Sequence, residues 1–123
     1  MEPGSTPSWQ ISKGADGIIY SRFVGPTRTE EFAGFLQALL LAMPESNARL
    51  VFDLRQLGGY NAETKEPMKA WLLQHKLAIS ELTVVVPQSG TILKMVSAAI
   101  GLATGVKIRV RDEPEAQPPF AAQ

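Results

Sequence analysis

A chain of 123 residues with 45% apolar side chains has room for one hydrophobic core and none for a second domain. The absence of cysteine excludes disulfides, thiolate nucleophiles and cysteine-ligated metals, and a single histidine, His75, leaves little for zinc. Twelve lysines and arginines balance twelve aspartates and glutamates, and the cations are spread from Lys13 to Arg111, so no basic stripe for nucleic acid is visible.

The opening residues have neither the basic nor the apolar region of a secretory signal, which predicts a cytoplasmic protein. No apolar stretch approaches the ~20 residues that cross a bilayer, so membrane insertion is not expected. Residues 1–8 and 112–123, rich in Pro, Ser, Glu, Gln and Ala, are predicted to be flexible tails on one domain at 9–111. Within it, Trp9, Ile11 and Lys13 begin an alternating segment, Asp16-Gly17 turns the chain, and Ile18 to Val24 form a second strand, a hairpin pattern. Pro26 to Glu30 reads as a helix start, with Thr27 as N-cap and Glu30 returning the bond. Phe32, Phe35, Leu36, Leu39, Leu40 and Met43 recur at helical spacing until Pro44 stops the helix.

Arg49 to Leu54 is a short apolar run bounded by turn signals, the pattern of a strand covered on both faces. Gly58, Gly59, Tyr60 and Asn61 follow as a loop. Pro67, tolerated only in a first helical turn, then places the next helix and favours Thr64 over Asn61 as its N-cap. Met68, Trp71, Leu72 and His75 mark one face of that helix, with Ala70, Leu73 and Leu77 beside it. Glu81 to Val86 is a further strand, ended by Pro87. Ser89-Gly90-Thr91 opens the last helix, in which Ile92, Met95, Val96, Ala99, Ile100 and Ala103 line up; Gly105 ends it, and Lys107 to Val110 close the chain as a strand. The order ββαβαβαβ predicts a single α/β domain with a mostly parallel central sheet, an N-terminal hairpin and helices packed on the sheet.

Ligands of open α/β sheets bind at the carboxyl ends of the parallel strands. There the sequence offers Arg55, Gly58, Gly59, Tyr60 and Asn61 after one strand, and Gln88, Ser89, Gly90 and Thr91 after the next. The second group could turn helix amides to an anion but lacks the lysine and spacing of a P-loop. Asp53 lies inside an apolar strand with no second carboxylate or histidine close in sequence, so it is expected to be satisfied by loop amides or a basic neighbour. His75 follows Trp71 by one helical turn and is expected as a packed or rim residue, with Trp71 a core anchor. Nothing here defines a reaction, and no catalytic residue, cofactor or metal is expected; an enzyme stays open as a third reading only through convergence of Asp53, Glu63 and His75, which spacing does not show. The last helix is apolar nearly all round, with Lys94 its only charge; burial within the monomer, a partner or self-association surface, and a lining for an apolar ligand all stay open.

With this element order, the segment Leu50-Val51-Phe52-Asp53-Leu54-Arg55-Gln56-Leu57 resembles the STAS domain family, the anti-sigma-factor antagonists and their relatives, over about residues 9–111. In that family the strand leads to an Asp-Ser-Ser/Thr-Gly motif whose second hydroxyl residue is phosphorylated by a partner kinase. Here that motif falls on Asn61-Ala62-Glu63-Thr64. Glu63 replaces the phosphorylated serine with a permanent negative charge, a weak mimic of the modified state. A STAS-like branch grouped with lipid-binding proteins keeps the strand and helix order without the serine motif, and the chain looks closer to it.

The resemblance implies a bacterial, non-enzymatic regulatory or scaffolding module that binds another protein, such as a kinase-like signalling regulator. Its expected contacts are Gly58, Gly59, Tyr60, Asn61, Glu63 and Thr64, with Tyr60 as the anchor at the loop tip. The alternative is a carrier of a small apolar, lipid-like ligand, with a pocket between sheet and helices lined by Met68, Trp71, Met95 and Ile100.

Overall fold

Two strands, Trp9–Lys13 (β1) and Ile19–Gly25 (β2), open the domain in the computed structural model, which describes residues 8–113. They pair antiparallel with Trp9 opposite Phe23 and Lys13 opposite Ile19. The turn between them uses Gly17 at φ 82° and closes with the Asp16 carboxylate accepting from the Ile18 amide at 3.0 Å, the short-range bond that favours aspartate in turns. Of the expected tails, only Ser8, Asp112 and Glu113 fall among the described residues. Ser8 is tied to the sheet, its carbonyl accepting from the Val24 amide at 2.8 Å.

Helix α1 (Thr29–Ala42) buries Phe32, Phe35, Leu36 and Leu39, as the spacing predicts, while Leu40 is exposed and Met43 half-buried. Its start lies one residue beyond the expected cap. Arg28 is the N-cap, and the Glu31 carboxylate reaches back to the Arg28 amide at 3.1 Å. Thr27 cannot serve because it turns inward: its side chain is buried, and its carbonyl accepts from the Asn61 side chain at 3.1 Å.

Strand β3 (Ala48–Leu57) outruns its apolar stretch at both ends, because Ala48 pairs with Ile79 and pairing with Ile19–Gly25 continues through Leu57. Helix α2 (Lys65–His75) is preceded by a 3₁₀ turn, Ala62–Thr64, which moves the cap. The Asn61 side chain, not Thr64, accepts from the Glu63 amide at 3.0 Å, and the Thr64 hydroxyl donates to the Asn61 carbonyl at 2.7 Å. The helix ends at His75, leaving Leu77 on a second 3₁₀ turn with 93% of its surface exposed. β4 (Ile79–Val85), α3 (Thr91–Thr104) and β5 (Ile108–Arg111) complete the chain, and Gly105 closes α3 at φ 78°.

The sheet order is β1-β2-β3-β4-β5, parallel from β2 onward. Each crossover joins adjacent strands in one direction, so right-handed connections put α1, α2 and α3 on the same face. β3 is therefore covered by helices on one side rather than two. Ala48, Leu50 and Phe52 enter the core, whereas Arg49 and Arg55 are exposed on the far face. Phe35 is the centre of that core, with ring centroids of Phe23, Phe52 and Trp9 at 4.7, 5.5 and 5.8 Å.

The core stripe of α3 is rotated from the expected one. Ser97, Ile100 and Thr104 are buried with Leu93 and Val96 half-buried, whereas Ile92 and Met95 are 64% and 66% exposed. Gly101 of this helix lies against β5, where an added Cβ would meet Ile108 at an ordinary contact distance of 3.5 Å. Thr104 is satisfied inside, donating to the Ile100 carbonyl at 2.7 Å and accepting from the Val106 amide at 3.2 Å.

The strand register also gathers cations that are scattered in sequence. Arg22 pairs with Asp53, Asp53 with Val85, and Val85 with Arg111, while Thr83 pairs with Arg109. These side chains, with Arg49 and Arg55, share the face away from the helices. Acids interleave with them: Glu81 meets Arg109 at 3.3 Å and Lys107 at 3.6 Å. Among the described residues, no helix is long and apolar enough to cross a membrane.

Candidate functional site

At the carboxyl ends of β2 and β3, two loops meet because glycine lets them. The Gly58 amide donates to the Gly25 carbonyl at 2.8 Å, and a Cβ on Gly58 would fall 2.6 Å from the Pro26 nitrogen. Asn61 then fastens the second loop to the first. Its side-chain amide donates to the Thr27 carbonyl at 3.1 Å and to the Thr29 hydroxyl at 3.3 Å. The Thr29 hydroxyl in turn donates to the Glu63 carboxylate at 2.8 Å.

Beneath these loops lies a pocket between the helices and the sheet. Its volume is about 100 Å³. Phe23, Phe52, Leu54 and Val84 of the sheet form one wall; Met68 and Leu72 of α2 with Val96, Ser97 and Ile100 of α3 form the other. Its lining passes from buried Leu72, Leu82 and Val84 to half-buried Tyr60, Asn61, Thr64 and Lys65, which form the mouth. The position is the one at which open α/β sheets bind ligands.

Two hydroxyls in this lining have no partner among the described residues. Thr27 is 7% exposed, and its Oγ1 is buried without a hydrogen bond. The Tyr60 hydroxyl is likewise buried and unpartnered. Such a group costs about 1–3 kcal/mol when nothing replaces its water. Burial, then the nearby Glu66 carboxylate, pushes the Tyr60 phenol above its ordinary pKa, so it remains a donor at neutral pH.

The structure thus joins the two sets of site residues read from the sequence. Gly59, Tyr60, Asn61 and Thr64 line the same pocket as Met68 and Ile100. Gly58 and Glu63 hold the loops together without lining it. Tyr60, expected as an anchor at the loop tip, lines the pocket with its hydroxyl buried. Trp71 and Met95 also lie outside the lining: Trp71 is buried with its ring 4.9 Å from that of His75, and Met95 faces outward. Thr27, Lys65 and Phe23 are among the lining residues that sequence reading missed. Thr27 had the local signature of a cap, and the approach of the two loops has no signature within either one.

The remaining chemical candidates are placed elsewhere. Asp53 lies on the far face of the sheet, chelated by Arg55 at 2.8 and 3.0 Å. Burial raises its pKa, but the hydrogen bonds and charge of Arg55, with Arg22, outweigh that and hold it below the ordinary value. His75 ends α2, about 15 Å of helix from the mouth. At the start of α3, the Gly90 and Thr91 amides donate to the Pro87 and Ser89 carbonyls at 2.8 and 2.9 Å, which takes them from any anion. Among the described residues, no three His, Asp or Glu side chains group to hold a metal.

No family model and no curated protein matches the sequence. Among solved structures, the fold is similar to that of an uncharacterized protein from the DUF3478 family of Shewanella loihica, described as having a SpoIIAA-like fold. The two share 13% sequence identity over 85% of each chain, with a TM-score of 0.62. A likeness at that identity is one of fold, and this chain has the SpoIIAA-like (STAS) fold that its element order and its Leu50–Leu57 segment resemble.

Proposed function

We propose that this protein is a non-catalytic binder of a small, mainly apolar molecule, held in the pocket beneath the Gly58–Thr64 loop. The observation that carries this reading is a pocket of about 100 Å³ with almost wholly apolar walls, next to the hydrophobic core. Apolar walls with a few placed polar groups are the usual composition of small-molecule sites. Binding rather than catalysis is supported by the fate of the titratable groups, since Asp53 is committed to Arg55 and His75 packs on Trp71, both away from the pocket.

Titration with 1-hexanol, a neutral apolar probe, tests the reading by NMR. The expected shifts fall on the methyl groups of Met68, Leu72, Val96 and Ile100, and Val96→Phe, which fills the space, removes them. Shifts confined to Met95 and Leu102 would sink the pocket reading. A second reading, the protein-interaction module, is favoured by the outer face of α3, where Ile92, Met95 and Leu102 are 64%, 66% and 88% exposed. Under it, Met95→Lys abolishes capture of a partner and leaves 1-hexanol binding untouched.

A further inference from the structure

Resting on that reading of the pocket, we propose that its ligand is a monocarboxylate with an aliphatic tail, the carboxylate seated against Lys65 and the hydroxyls of Thr27 and Tyr60. The lining is electrostatically one-sided. It contains one cation, Lys65, and neither an aspartate nor a glutamate. The acids close by lie outside the lining: exposed Glu66, whose charge reaches the Tyr60 phenol, pairs with Lys69 at 3.4 Å, and Glu63 accepts from Thr29 at 2.8 Å. Lys65 is half-buried and has no ion pair among the described residues.

The other polar groups of the mouth divide into used and unused. Asn61 spends its side chain on Thr27, Thr29 and Glu63, and the Thr64 hydroxyl donates to the Asn61 carbonyl. The Thr27 and Tyr60 hydroxyls are left, both buried and without partners, and both can donate. One positive charge with two unused donors is the complement of a single carboxylate, whose two oxygens accept several hydrogen bonds and bind charged donors more strongly than neutral ones. A neutral alcohol leaves Lys65 unanswered. Beyond the head the lining is mainly apolar, toward Leu72, Leu82 and Ile100, with Ser97 as its polar residue. An apolar cavity of roughly 150 Å³ accepts benzene, so a pocket of about 100 Å³ suits a shorter tail, on the order of four carbons.

The test compares butanoate, hexanoate and octanoate with 1-butanol, 1-hexanol and 1-octanol by NMR titration of the full chain at neutral pH. At the best-fitting length the acid is expected to bind about tenfold more tightly than its alcohol, with shifts at Thr27, Tyr60 and Lys65. Lys65→Gln is expected to remove most of that preference while the alcohol keeps its affinity within about twofold, and Lys65→Arg to retain it. An unchanged thermal midpoint shows each variant folded. Equal affinity for acid and alcohol at every length, or a preference that survives Lys65→Gln, overturns the carboxylate and leaves the pocket reading standing. If neither series moves the pocket resonances, both readings fall.

Discussion

The Asn61 side chain donates to the Thr27 carbonyl at 3.1 Å while its own oxygen accepts from the Glu63 amide at 3.0 Å. One residue therefore caps the turn that leads into α2 and anchors that turn to the entry of α1. The pocket mouth lies between the two segments so joined, which ties its shape to this pair of bonds. Asn61→Ala is expected to cost about 1–2 kcal/mol by urea denaturation. Asn61→Asp keeps the cap but loses the donors to Thr27 and Thr29, so it is expected to fall between Ala and wild type in stability. Amide exchange of Gly58 to Thr64 should accelerate in both variants; exchange as slow as wild type would show that the loop is held by something else.

Gly58 makes the approach of the loops possible, and two glycine substitutions separate that role from helix propensity. Adding a Cβ at Gly58 brings it within 2.6 Å of the Pro26 nitrogen and 2.7 Å of the Gly25 carbonyl carbon, backbone atoms that cannot swing aside. Gly58→Ala is expected to destabilise by about 2 kcal/mol or more and to weaken ligand binding with it. Gly34, inside α1, has nothing within 4 Å of an added Cβ. Gly34→Ala should therefore stabilise by about 0.5–1 kcal/mol, through helix propensity alone. Equal thermal shifts of the two variants would contradict this division.

The parts of the fold legible in the sequence are those written in a local code. The Phe32, Phe35, Leu36 and Leu39 stripe, the Asp16-Gly17 turn and the Gly105 stop each depend on neighbours a few residues away, and each is found where the pattern places it. The phase of α3 is not local. A helix apolar nearly all round offers two stripes, and only packing against the rest of the domain chooses Ser97, Ile100 and Thr104. The arginine-rich far face of the sheet is equally non-local, because Arg22, Asp53 and Arg111 become neighbours only through strand register. The site was half legible for the same reason. Chain order brings Gly59 to Thr64 to a strand end, but only tertiary contact turns Tyr60 inward and sets Thr27 beside it.

Asp53 predicts how stability responds to acid. Its pKa is lowered in the folded state, so the Arg55 interaction contributes stability above the ordinary carboxylate value near 4 and loses it as pH falls through the folded value. Half-exposure of Arg55 limits the size of the effect. Between pH 7 and pH 3 the urea midpoint of the wild type is expected to fall more steeply than that of Asp53→Asn, which has no carboxylate to protonate. Parallel curves for the two proteins would show that the pair contributes nothing to folding.

The orientation of α3 can be tested independently of any ligand. Thr104 is 2% exposed and bridges the Ile100 carbonyl and the Val106 amide. Thr104→Val keeps its shape but leaves the Val106 amide without its partner, so about 1–3 kcal/mol of stability should be lost. Met95→Gln replaces an outward-facing side chain and is expected to change stability by no more than about 0.5 kcal/mol. The apolar stripe of Ile92, Met95 and Ala99 would reverse that order if it faced the core, because a polar side chain would then be buried and a threonine on the surface would be indifferent to losing its hydroxyl. Guanidinium denaturation of the two variants therefore reads the phase of the helix directly, and a larger loss for Met95→Gln would move Ser97 and Ile100 out of the pocket wall.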